Sequence, residues 1–211
     1  MPSSSAAGDA GFPLPLFPLQ AVLFPGGLLS LKVFEARYLD LMARCLRERE
    51  NFGVVALVRG SEVRKAEQPD VAFQPIGTRA EVLDVDSAQT GILLVRCRGG
   101  ERFRVASSRQ QDDGLWVARV EPIEGDEPVA PTAALAGAAR GLADAMAALE
   151  VQNTRPFLLP HRFDDAGWVA NRWCELLPIP LLAKQKLMEL QDPLVRLELV
   201  DDFLRQKGVL P

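Results

Sequence analysis

The sequence has little histidine, little cysteine and no surplus of positive charge. His161 is the single histidine in 211 residues. That excludes HExxH and any multi-histidine metal site. It leaves one candidate base for a Ser-His or Cys-His pair, and Pro160 and Arg162 on either side read as loop. Cys45, Cys97 and Cys174 are the only cysteines. No CxxC pair exists, so neither a zinc site nor a dithiol redox pair is indicated. The three are expected to be small buried hydrophobes in a reducing compartment. No apolar run reaches the roughly 18 residues that a membrane helix requires. The opening MPSSSAAGDAG lacks the basic and apolar regions of a secretory leader. The expected location is cytoplasmic, with residues 1–11 as a disordered tail. GxxxxGK[ST], GxGxxG and GxSxG are all missing, so no cofactor, no metal and no catalytic residue is assigned.

Net charge is −4, which weighs against a nucleic-acid partner because phosphate neutralisation needs a basic footprint. The one basic concentration is Arg96, Arg98, Arg102 and Arg104. These are expected to face solvent beside a turn, and they carry the alternative reading of an RNA-binding module. Acid pairs occur at Asp84 and Asp86, Asp112 and Asp113, Asp164 and Asp165, and Asp201 and Asp202. Only Asp84 and Asp86, on one face of a strand end, are a pair to check for acid–base work.

What is present is an ordinary folded composition, 48% hydrophobic and 25% charged, in a chain long enough to bury a core. Pro13, Pro15, Pro18 and Pro25 make the opening stretch edge strand and turn rather than central strand. Pro25-Gly26-Gly27 is a turn signal, followed by a strand at Leu28–Val33 with Leu29, Leu31 and Val33 on one face. Residues 35–49 switch to helical period, with Leu39, Met42, Ala43 and Leu46 as the apolar stripe. Phe52–Val58 reads as a buried strand and Gly60–Pro69 as a loop. Strands follow at Ile76–Val85, Gly91–Cys97, Arg102–Ser108 and Leu115–Ile123. Arg98-Gly99-Gly100-Glu101 is expected to be the hairpin turn between the second and third. Strands this tightly joined predict a partly closed barrel or a curled sheet.

Glycine, proline and acids cluster at Glu124–Pro131, the expected joint between two parts. Helices are expected at Thr132–Glu150, Trp168–Leu177, Leu181–Leu190 and Leu194–Lys207. Asp164-Asp165 and Asp192-Pro193 supply helix starts. Of Trp168 and Trp173, one is expected in the core and one partly exposed. Phe12, Phe17, Phe24, Phe34 and Tyr38 crowd the first part of the chain. They are expected to pack the core, and some could line a shallow groove that holds an extended peptide.

The stretch LPLFPLQAVLFPGGLLSLKVFEARYLDLM, Leu14 to Met42, closely resembles the start of the substrate-binding N-terminal domain of the Lon (La) ATP-dependent protease. The nearest likeness is to stand-alone bacterial members of that family. FGVVAL at 52–57, IGTRAEV at 76–82, GGERFRV at 99–105, WVANRWCELLPIP at 168–180 and KQKLMELQDPLVRLELV at 184–200 resemble its later segments in order. The resemblance implies an α+β fold, a PUA-like β pseudobarrel over 12–125 followed by a C-terminal helical bundle over 126–211. It also implies recognition of unfolded or damaged polypeptides, with an ATP-dependent protease acting in trans as a further partner. The ATPase and Ser-Lys peptidase of a full Lon protease are expected to be lacking. Peptide-binding candidates are Phe24, Phe34, Glu35, Arg37, Tyr38 and Trp168. Phe34 and Tyr38 are four apart across the strand-to-helix junction, Glu35 lies near the helix N-terminus, and Arg37 is placed to pair with a barrel acid.

Overall fold

The computed structural model describes residues 11–60 and 71–210. The tail expected over 1–11 and the loop expected over 60–69 lie outside the described residues, apart from Gly11 and Gly60. The front of the chain runs β1 (Phe12–Leu19), β2 (Leu28–Val33), α1 (Ala36–Glu48), β3 (Phe52–Arg59), β4 (Ala72–Phe73), β5 (Ile76–Gln89), β6 (Ile92–Gln110) and β7 (Trp116–Pro122). The back runs α2 (Ala136–Val151), α3 (Ala166–Leu176), α4 (Leu181–Glu189) and α5 (Pro193–Gln206). This is the α+β arrangement of a pseudobarrel followed by helices.

The barrel closes through β1. The order β1-β7-β6-β5-β3 returns to β1 because β1 and β3 also pair, in parallel, while the other pairings are antiparallel. β1 is therefore not the edge strand that its prolines predicted. Its two partnerships occupy successive halves: β7 pairs with Phe12–Leu16 and β3 with Leu16–Leu19. Pro13, Pro15 and Pro18 each keep one open side, where a missing N–H costs no ladder bond.

The hairpin expected at Arg98–Glu101 does not form. β6 runs unbroken for 19 residues through Gly99 and Gly100. The turn lies earlier, at Thr90-Gly91, between β5 and β6. Gly99 serves a close approach instead: a Cβ there would stand 2.1 Å from the Phe24 carbonyl oxygen. Its N–H donates to Gly27 O at 2.9 Å, and its own carbonyl accepts from Gly26 N–H at 2.8 Å. β6 thereby receives β2 on its first half and β7 on its second.

The stripe of α1 is also shifted from its expected place. Tyr38, Leu41, Met42 and Cys45 are buried, at i, i+3, i+4 and i+7, while Leu46 is exposed. These side chains share a core with Phe17, Leu23, Val33, Phe52 and Val95.

In the helical half the expected starts hold. Asp165 Oδ1 accepts from Gly167 N–H and Trp168 N–H, and Asp192 Oδ1 accepts from Leu194 N–H and Val195 N–H. Both tryptophans are buried, against the expectation that one would be partly exposed. Trp173 is accommodated because its Nε1–H donates to Ala138 O at 2.9 Å. One apolar cluster joins Trp168, Trp173, Leu142 and Leu197 to Phe24 and Ile76 of the front half.

Two buried arginine centres tie helices to barrel. Arg172 of α3 donates to Gly26 O at 2.5 Å and Pro25 O at 2.9 Å, and pairs with Glu175. It thus holds the turn that launches β2. Arg102 of β6 and Arg196 of α5 each meet Asp126 at 2.6 Å. Arg102 also donates to the carbonyls of Met188 and Leu190, and Arg196 to those of Leu187 and Leu190 and to Asn171 Oδ1. Charges this deeply buried persist only when such partners surround them.

Candidate functional site

A groove of about 390 Å³ runs beside β2. Its apolar wall is Phe17, Leu19, Ala21, Leu29, Leu31, Val33, Phe34 and Tyr38, with Ser30, Lys32 and Glu35 completing the lining. Alternation on β2 aims Leu29, Leu31 and Val33 inward. Phe17 comes from β1, and Tyr38 from the first turn of α1. The Phe17 and Tyr38 rings stack 3.8 Å apart, which fixes the groove floor. Phe34 stands in the two-residue gap between β2 and α1 and is 49% exposed.

Three of the six candidates, Phe34, Glu35 and Tyr38, meet in this groove. Arg37 supports it from behind. Its guanidinium pairs with Glu35 at 3.0 Å, donates to Gly114 O at 2.7 Å and lies 4.6 Å from the Tyr38 ring centroid. The partner expected for Arg37 was a barrel acid; the neighbour Glu35 takes that place because α1 opens without a side-chain cap and leaves this carboxylate available. Phe24 is fully buried and Trp168 nearly so, both in the core of the helical half and away from the groove lining. Leu19, Ala21 and the β2 residues Leu29, Ser30, Leu31, Lys32 and Val33 were missed as lining residues. The only signal for them was the period-2 pattern of β2 and the position of Leu19 at the end of β1.

The remaining sequence candidates resolve into structure. The four arginines do not form a shared solvent-facing patch. Arg102 is buried, because the carbonyls of the α4–α5 joint and Asp126 take up its charge. Arg96 stands opposite Asp84, Arg98 opposite Glu81 and Arg104 opposite Glu121 in the strand registers. Asp84 and Asp86 are exposed, which removes the desolvation that acid–base work needs. His161 packs its ring near Phe163 and Trp168. All three cysteines are buried and unpaired, and burial pushes the thiols up to about 11 for Cys45 and about 12 for Cys97 and Cys174. Among the described residues, no group of three or more His, Cys, Asp or Glu is placed to hold a metal ion. No helix among them is long and apolar enough to cross a membrane.

Comparison with known proteins gives this geometry a family. Residues 13–206 match the ATP-dependent protease La (LON) substrate-binding domain. The Lon protease of Anaeromyxobacter dehalogenans (strain 2CP-C) is 28% identical over 202 residues, covering 92% of this chain and 23% of that protein. Lon protease 2 of Myxococcus xanthus is 29% identical over 202 residues, covering 92% and 24%. The chain thus spans about a quarter of the length of these curated relatives. A crystal structure of a Lon N-terminal domain protein from Xanthomonas campestris superposes with a TM-score of 0.65 at 34% identity, over 90% of this chain and 96% of that one. The N-terminal domain of the Mycobacterium avium complex Lon protease shares the fold, with a TM-score of 0.59 at 16% identity over 90% and 97%. With a match that runs from the first residues of β1 to the end of α5, the chain belongs to the substrate-binding domain family of the ATP-dependent protease La (Lon).

Proposed function

We propose that this chain recognises unfolded or damaged polypeptides through the groove beside β2 and performs no catalytic step of its own. The observation that carries the reading is the groove itself: a half-exposed phenylalanine above a stacked aromatic floor, in a chain of the Lon substrate-binding family. Unfolded chains differ from folded ones by exposing apolar side chains, and a groove lined by Phe17, Leu29, Leu31 and Phe34 binds that difference. Residues 12–125 and 126–211 act as one recognition unit, a reading supported by Arg172 holding the turn before β2. An ATP-dependent protease acting in trans is the partner that would consume a bound client. Three free buried thiols support a cytoplasmic setting.

The test is titration of the protein into a labelled, permanently unfolded model polypeptide, followed by fluorescence anisotropy. Saturable binding, weakened by Phe34→Ser and absent for the folded form of the same polypeptide, is the expected result. Absence of binding up to high micromolar concentration would sink the reading. Binding unaffected by Phe34→Ser would remove the groove from it.

A further inference from the structure

β2 has one open edge. Among the described residues it pairs with β6 alone, whereas β1, β3, β5, β6 and β7 all have partners on both sides. The direction of its free hydrogen-bonding groups follows from one contact. Gly99 N–H donates to Gly27 O, and the register then runs without a shift from Leu28 opposite Arg98 to Val33 opposite Leu93. In an antiparallel ladder the residues that bond the partner alternate. Leu29, Leu31 and Val33 therefore turn their backbone groups to β6 and their side chains inward. Leu28, Ser30 and Lys32 turn their N–H and C=O groups to the open edge.

That edge borders the groove, since Leu29 through Glu35 line it. An extended backbone supplies alternating donors and acceptors at the spacing that Leu28, Ser30 and Lys32 present. Charge narrows the occupant further. Glu35 is neutralised by Arg37 at 3.0 Å. Lys32 is exposed, and across the ladder it faces Leu94, not a carboxylate. Its side chain projects on the solvent face, where the residue opposite it on an added strand would lie. The chain's own first residues, MPSSSAAGDA, have no alternating apolar pattern to fill the groove. A second copy of β2 would bring another Lys32 to the same narrow ribbon.

We propose that an extended segment of an unfolded polypeptide joins the open edge of β2 as an added strand. Its backbone pairs with Leu28, Ser30 and Lys32, its alternate apolar side chains enter the groove, and a carboxylate lies across from Lys32. This rests on the polypeptide-recognition reading above and adds the mode of binding and the preferred sequence pattern.

The experiment leaves the protein intact and alters the ligand. The probe is a labelled peptide of about eight residues, a strand's length, alternating apolar with polar positions and carrying one aspartate at a polar position. Two N-methylated twins accompany it, one methylated at the polar positions and one at the apolar positions. In an antiparallel addition the amides of the polar positions face β2; in a parallel addition those of the apolar positions do. The expected result is that one twin loses affinity by about tenfold or more while the other stays within about twofold of the parent. The twin that fails then reports the strand direction. Lys32→Glu should weaken the parent by about two- to fivefold and favour a twin with lysine in place of aspartate.

Equal behaviour of the two methylated twins would overturn strand addition while leaving polypeptide recognition intact. So would failure of the peptide to bind when the unfolded model polypeptide does. Failure of both ligands would instead sink the underlying recognition reading. A dimer in sedimentation that excludes the peptide would assign the edge to a second copy and overturn the proposal.

Discussion

The rings of Phe17 and Tyr38 stack with centroids 3.8 Å apart and planes 8° from parallel, joining β1 to the first turn of α1. Tyr38 is the single tyrosine of the chain and is buried. Phe34, four residues earlier on the same rim, is half exposed. The two aromatics therefore differ in setting: one holds the groove floor, the other stands exposed on its rim, the position proposed above to meet a polypeptide.

Substitution should separate these roles. Tyr38→Ala removes a buried ring and its stack, and should lower stability by about 3 kcal/mol or more. Phe34→Ser should change stability by less than about 1 kcal/mol and weaken binding of an unfolded polypeptide by about fivefold or more. Urea unfolding and anisotropy on the same two variants check the division. Equal stability losses would mean that Phe34 is a core residue in solution.

Arg102 and Arg98 are both on β6, yet only Arg102 is buried, with Asp126 and the carbonyls of Met188 and Leu190 around it. Arg102→Met leaves those acceptors short of a donor and should cost about 3 kcal/mol. Arg98→Ser cuts an exposed pair with Glu81 at 3.8 Å and should stay within about 1 kcal/mol. Thermal unfolding of the two variants side by side is the check. A mild Arg102 phenotype would show that Arg196, Arg172 and the apolar contacts hold the barrel–helix joint without it.

What could be read from the sequence, and what could not, follows from the range of the interactions involved. Asp165 and Asp192 announced their helices correctly because a cap acts over two or three residues. The four following helices were legible for the same reason, whereas closure of the barrel through β1 was not, because it rests on pairings with β3 and β7 that are distant in sequence. Gly99-Gly100 misled because a glycine pair reads locally as a turn, whereas its cause is the Phe24 carbonyl, far off in sequence. The α1 stripe slipped because Tyr38 and Cys45 look less apolar than Leu46, though the barrel lies on their side. Arg172 was invisible as a joint because its acceptors are main-chain carbonyls 146 and 147 positions away. In the groove, Phe34, Glu35 and Tyr38 were legible as one segment. Phe24 was not separable from them, since nothing local says that it turns into the helical core.

Gly99 and Gly91 offer a contrast in why a glycine is needed. Gly99→Ala would place a Cβ 2.1 Å from Phe24 O, backbone that cannot step aside without moving the turn before β2. Gly91 has φ of 79° at the β5–β6 turn and no atom within 4 Å of an added Cβ. Gly91→Ala should cost about 1 kcal/mol from the left-handed backbone alone. Gly99→Ala should cost at least about twice that, through displaced backbone hydrogen bonds and overpacking. It should also reduce polypeptide binding, because β2 starts three residues after Phe24-Pro25. Chemical denaturation with the anisotropy assay distinguishes these outcomes, and a Gly99 variant as stable as wild type would contradict the close approach.

Glu175 makes the joint between α3 and the turn before β2 sensitive to pH. Burial outweighs the attraction of Arg172 and Lys184 and lifts its carboxyl from the ordinary 4.5 to about 7. Between those values the folded chain keeps a proton that the unfolded chain has released. The unfolded state binds fewer protons there, so stability falls as pH rises from about 4.5 to about 7. Below that window both states are protonated and the contribution is fully present; above it the loss is complete. Glu175→Gln retains an acceptor for the Arg172 Nη2–H, which now donates to Glu175 Oε1 at 2.9 Å, and removes the titration. Wild type should therefore lose on the order of 2 kcal/mol more than Glu175→Gln across the window. Urea midpoints of both proteins at several pH values measure this directly, since every other titrating group is common to both. Parallel curves would mean that Arg172 holds the carboxylate ionised throughout, and that the turn before β2 is fastened by a full ion pair.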